Sequence, residues 1–255
     1  MDKQLNEEIT YLTNKYNEIN YYPDRFKIFL GSDKYLCGVL SPKDKKCPLS
    51  QFTDYSTLYN TIVDLDWKIK LSFNESIKYA YSDLLKNEFN PLQSTKEESM
   101  AYYYIENSLY RTSTLWDILA QIYCLFYKIN ITRHKIYYSK LFNAKRDEYY
   151  SEYKIKKIKN YEDFKNKADN INKYLCEKNN TSVEGTWLGN HAYVNKCRNQ
   201  MTHRNSPNIT SISDYNLNFK DPPSYMLKRI IEDYVKVSNY ISEILNNIEE
   251  KLDNN

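Results

Sequence analysis

At 255 residues with 41% hydrophobic side chains, the chain is long enough for one large domain, or a main domain with a small appendage, and too apolar for wholesale disorder. Lys and Arg exceed Asp and Glu by only 36 − 33 = 3, which excludes an argument for nucleic-acid binding from charge alone. With 4 Gly and 7 Pro, long helices are favoured over a turn-rich β protein, and the 27 Tyr reflect compositional bias more than function.

In chain order, residues 3–20 read as a short polar helix. Residues 21–52 gather Pro23, Gly31, Gly38, Pro42 and Pro48. There Phe26 to Leu30 and Tyr35 to Leu40 read as short extended segments around a Gly-Ser-Asp turn, a small hairpin. Over 55–88, Leu58, Ile62, Leu65, Ile69, Phe73, Ile77, Ala80 and Leu84 recur every three or four residues and predict a long helix. Thr95 with Glu98 resembles a capping box opening a second long helix through about residue 129. A further helix is expected at 133–142, then a solvated, Tyr-rich one with a stripe of Phe164, Ala168, Ile171 and Leu175. A helix from about Trp187 or Asn190 to Asn205 stops before Pro207, a polar loop covers 206–223, and a last helix spans 224–252. Its buried stripe is Leu227, Ile231, Tyr234, Val237, Ile241, Ile244, Ile248 and Leu252. The expected fold class is therefore all-α, with a helix and hairpin extension at 1–52 and a bundle at 53–255.

The five cysteines, Cys37, Cys47, Cys124, Cys176 and Cys197, are scattered without zinc spacing. Reduced thiols in a soluble, cytoplasmic chain are expected, with no metal and no cofactor. Met1 to Gln4 open a polar segment and not a signal peptide, and no apolar run approaches a membrane span.

The chemistry concentrates on the helix at 190–205. On a wheel of about 100° per residue, Tyr193, Val194, Cys197 and Met201 share a core-facing side. His191, Asn195, Asn199, Thr202 and His203 form a continuous polar face with Arg198 on its border. Asn199 and His203, four apart, stack one turn over the other. His gives or takes a proton near neutral pH. A guanidinium holds two phosphate oxygens at once, and an amide orients either partner. These parts suit acid–base work beside an anion. An RNA 2′-hydroxyl supplies its own nucleophile to such a site.

Arg198-Asn199-Gln200-Met201-Thr202-His203 resembles the R-polar-x3-H signature of HEPN domains (higher eukaryotes and prokaryotes nucleotide-binding). The resemblance covers about 55–252 and implies an up-and-down α-helical bundle. It also implies a homodimer in which Arg198, Asn199 and His203 of two protomers line one cleft. That cleft would cut RNA without a metal, leaving a 2′,3′-cyclic phosphate. In this reading His203 is the general acid/base, Arg198 holds the scissile phosphate and Asn199 orients both. A toxin or phage-defence role, with an antitoxin or regulatory protein as partner, follows from the same resemblance.

A second polar stripe runs along the helix at 98–129. Glu106, Tyr110, Ser113 and Gln121 lie within about 40° of Asp117 on the wheel. The run from Glu106 to Arg111, followed by Leu115-Trp116-Asp117, is similar to a partner helix in one bacterial HEPN subgroup. Asp117 and Glu106 are thus supporting residues that would orient Arg198 or His203, or else ordinary ion-pair partners. His191 and Thr202 complete the supporting set, His191 lining the cleft or merely helping the helix begin. His134 reads as solvated. The alternative function is a non-catalytic helical domain binding RNA, a nucleotide or a protein; a third reading is a scaffold dimer.

Overall fold

The computed structural model describes residues 3–22, 25–26, 48–82, 90, 92–178, 189–203, 206–213 and 216–253. The chain forms an all-α bundle. Its helices are α1 (Lys3–Asn17), α2 (Pro48–Ala80), α3 (Lys96–Phe126), α4 (Tyr138–Leu141), α5 (Asp147–Glu152), α6 (Tyr161–Leu175), α7 (Asn190–His203) and α8 (Pro223–Asp253).

The central element is α3, which packs against α2, α8, α4 and α7. Its sequence is apolar almost all round after Ile118, and Leu115, Trp116, Leu119 and Ala120 are wholly removed from solvent. Thr95 caps its start, its hydroxyl accepting the Glu98 amide at 3.1 Å. The Glu98 carboxylate serves elsewhere: it pairs with buried Lys220 at 2.7 Å. The helix ends in a Schellman motif. The Lys128 and Ile129 amides donate back to Leu125 and Cys124, with Lys128 left-handed at φ 56°.

The expected stripe of α8 is buried from Leu227 to Ile248; the Leu252 side chain lies outside the described residues. In α1, Leu12 and Tyr16 are fully buried, and the helix packs on α8 and α2. The segments expected as a hairpin lie, apart from Phe26, outside the described residues.

Two expectations need correction. The helix expected at 133–142 is a 3₁₀ turn at Arg133–Lys135 followed by α4, with Ile136 and Tyr137 extended between them. The polar loop at 206–223 contains an antiparallel pair, β1 (Ser211–Ser213) and β2 (Asn216–Asn218), with Ile212 opposite Leu217. Three-residue strands are too short to show alternation in a sequence. This loop is docked through side chains: the Tyr102 hydroxyl donates to the Asp221 carbonyl at 2.6 Å, and Lys220 donates to Ser94 Oγ at 2.9 Å. Among the described residues no helix is long and apolar enough to cross a membrane.

Candidate functional site

The position of α7 is set at its N-terminal end. Gly189 precedes the helix at φ 71°, a left-handed conformation in which a Cβ would be strained. Its carbonyl accepts the Tyr193 amide at 3.0 Å and the guanidinium of Arg229 at 3.1 Å. Arg229, on α8, is fully buried and lies over the rings of Tyr193 and Tyr225. On the core side of α7, Tyr193, Val194 and Cys197 are buried, as the wheel predicts.

The opposite side of α7 borders a cleft of about 900 Å³. His191, Asn195 and Asn199, spaced four apart, give it one wall. Tyr138 and Asn143 line it from α4 and the turn after it, and Arg146 from the residue before α5. Arg146 and Lys196 supply positive charge, and no carboxylate lines the cleft among the described residues. The Asn195 Oδ1 atom is shielded from solvent and accepts no hydrogen bond from the described residues. An amide-rich, cationic cleft of this size suits a polar anion with hydrogen-bonding edges, such as a nucleotide unit.

His191 is buried and held on both ring nitrogens. Nδ1 lies 3.2 and 3.4 Å from the two carboxylate oxygens of Asp233, and Nε2 lies 3.2 Å from the Tyr138 hydroxyl. Asp233, wholly buried on α8, also accepts the Trp116 indole N–H and the Tyr174 hydroxyl, each at 3.0 Å. With Asp233 accepting from Nδ1–H, Nε2 is the acceptor and Tyr138 the donor. The imidazole also meets the Trp116 ring edge-on at 4.8 Å between centroids.

Arg198 is half-buried beside this network. Burial raises the Asp117 carboxyl above its ordinary value, and the Arg198 charge opposes the rise. Burial likewise pushes the Tyr138 hydroxyl up to about 12, again opposed by Arg198. The structure thus brings Arg198, Asp117, Tyr138 and His191 into one electrostatic neighbourhood. Asn199 is exposed at the cleft wall. Thr202 is exposed and returns its hydroxyl to the Arg198 carbonyl at 2.9 Å, a bond within its own helix. His203 is the last residue of α7, and its side chain lies outside the described residues.

Glu106 is placed differently. Its carboxylate accepts a hydrogen bond from the Asn208 amide of the loop after α7, and burial raises its pKa against that bond. Asp117 and Glu106 share one helix but act on different partners, three turns apart.

Sequence reasoning missed Tyr138, Arg146 and Asp233. Asp233 carried a signal: it sits between Ile230 and Val237 on the apolar face of α8, where a carboxylate needs partners. Tyr138 and Arg146 carried none, because only the fold brings α4 and the residue before α5 to the cleft along α7. Among the described residues no group of three His, Cys, Asp or Glu side chains is placed to hold a metal ion.

Comparison with protein-family models, with curated proteins and with solved structures finds no match to this chain.

Proposed function

We propose that the chain is a metal-independent endoribonuclease of HEPN type, acting at the polar face of α7. The observation that carries this reading is the cleft lined by Asn199, the neighbour of Arg198 in sequence: cationic, amide-rich and free of carboxylates among its described lining. Arg146 and Lys196 would attract the phosphate backbone, and amides such as Asn195 would read base edges.

In this reading Arg198 holds the scissile phosphate and the charge that develops on it. Asp117 lies within the field of its charge. Asn199 orients the phosphate, and His203 gives or takes a proton. The 2′-hydroxyl attacks phosphorus and the P–O5′ bond breaks, leaving a 2′,3′-cyclic phosphate and a 5′-hydroxyl. A homodimer would bring two such faces together, as the resemblance implies. The toxin or defence role and the regulatory partner belong to the same proposal.

The experiment is incubation of the purified chain with tRNA in EDTA. Cleavage that disappears in Arg198→Ala and in His203→Ala supports the enzyme. tRNA bound but left intact by the folded wild-type protein favours the alternative of a non-catalytic RNA-binding domain, to which the same cleft lends itself.

A further inference from the structure

We propose that the cleft along α7 is an adenylate subsite, in which Arg146 and Lys196 hold the phosphate of one nucleotide and the carboxamides of Asn195 and Gln200 read its adenine edge. The inference deepens the RNA reading and rests on it for the source of the nucleotide, a unit of the bound strand.

The charge of the lining selects an anion. Arg146, ahead of α5, and Lys196, on α7, are both exposed. Among the described residues neither side chain makes a hydrogen bond or an ion pair, and no carboxylate lines the cleft. Two cations from separate elements, with nothing beside them to neutralise their charge, favour a phosphate. The Arg146 fork can hold two of its oxygens at once.

The amides of the lining select the base. Asn143, Asn172, Asn195, Asn199 and Gln200 all border the cleft. Asn143 and Asn172 each engage an oxygen within the chain, accepting the Lys145 amide at 3.1 Å and the Cys176 thiol at 3.6 Å. Asn195, Asn199 and Gln200 make no side-chain hydrogen bond among the described residues, although the Asn195 oxygen is shielded from solvent. A shielded carbonyl without a donor is costly, and a ligand that supplies a donor removes the cost. A carboxamide sets a donor beside an acceptor, and adenine presents the complementary pair, its N6 amino group beside N7. The amino group of cytosine is met best by a carboxylate, which the lining lacks, and the O6 and N7 acceptors of guanine by a guanidinium, which the phosphate engages here. Uracil, with an N3–H beside a carbonyl, is the nearest competitor, and a cleft of about 900 Å³ has room for the larger purine. Asn195 lies three residues, about 4.5 Å of helix rise, before Arg198. That is less than the step between phosphates of an extended strand, so the adenosine adjoins the cut.

The test is equilibrium dialysis of the full-length chain against labelled 5′-AMP, competed by GMP, CMP, UMP, adenosine and inorganic phosphate. It is repeated for Arg146→Ala and for Asn195→Ala combined with Gln200→Ala. AMP is expected to bind about tenfold more tightly than any competitor. Arg146→Ala should weaken AMP about tenfold and leave adenosine unchanged. The double variant should lose the preference for AMP over UMP. Four nucleotides bound alike, phosphate competing as well as AMP, no AMP bound, or unchanged AMP affinity in Arg146→Ala would each overturn the subsite. Arg146 is exposed, so its variant and the wild-type ranking decide the matter even if the double variant fails to fold. A hexamer of adenylate RNA should displace AMP, and one that leaves AMP bound would overturn the RNA strand as the source. Cleavage of tRNA without an AMP preference sinks the subsite and leaves the ribonuclease reading standing. An AMP preference with tRNA left intact upholds the subsite and sinks the enzyme.

Discussion

Asp117 carries a cost that the pH dependence of stability should expose. Its folded pKa is raised by burial, with Arg198 opposing. The native state therefore holds the Asp117 proton more tightly than the unfolded chain does. The contribution is fully present below the ordinary aspartate value of 3.8 and is lost as pH rises through the higher folded value. Asp117→Asn is expected to raise the melting temperature at pH 7, with the gain shrinking toward pH 4. A gain that grows as pH falls would contradict the assignment. At this scale the sequence was legible where a residue's role follows from its own helix. Arg198, Asn199 and His191 could be set on one face of α7 by spacing alone. The same spacing could not show that His191 is anchored by Asp233, 42 residues later. Nor could it show that Glu106, despite sharing a stripe with Asp117, is taken by Asn208.

Helices α3 and α7 are fixed by their ends, and those ends make separate predictions. Lys128 holds the left-handed position of the Schellman motif closing α3, where a side chain beyond Cα is strained. Lys128→Gly is expected to stabilise the protein by about 1 kcal/mol, read as a higher urea midpoint at unchanged slope. At the other end, Glu98 and Lys220 form an ion pair with side-chain exposures of 0% and 2%. Glu98→Gln would leave the Lys220 charge buried without its counterion. The expected loss is about 3 kcal/mol by urea denaturation. A loss near zero would mean that Ser94 and Gln93 suffice to hold Lys220. The capping signal at Thr95 and Glu98 was visible in the sequence, and the Thr95 half of it operates. The carboxylate went to Lys220 because a partner 122 residues away offered a buried cation, which local spacing does not reveal.

Across the whole molecule, the all-α class was legible because helical periodicity is a long-range average. The stripes of α2, α3 and α8 extend over many turns, and no local accident erases them. The hairpin in the loop before α8 and the short helices α4 and α5 were not legible, because elements of three to six residues carry almost no periodic signal. The site sits at the junction of these two kinds of structure. Helices α7, α3 and α8 supply Arg198, Asp117 and Asp233, whereas α4 supplies Tyr138 and the residue before α5 is Arg146. Whether this junction cuts RNA without a metal is read by incubating the purified chain with tRNA in EDTA and identifying the new ends. The wild type is expected to leave 2′,3′-cyclic phosphate and 5′-hydroxyl ends, reduced at least 100-fold in Arg198→Ala. Intact tRNA with folded wild-type protein, or equal cleavage by Arg198→Ala, would contradict it.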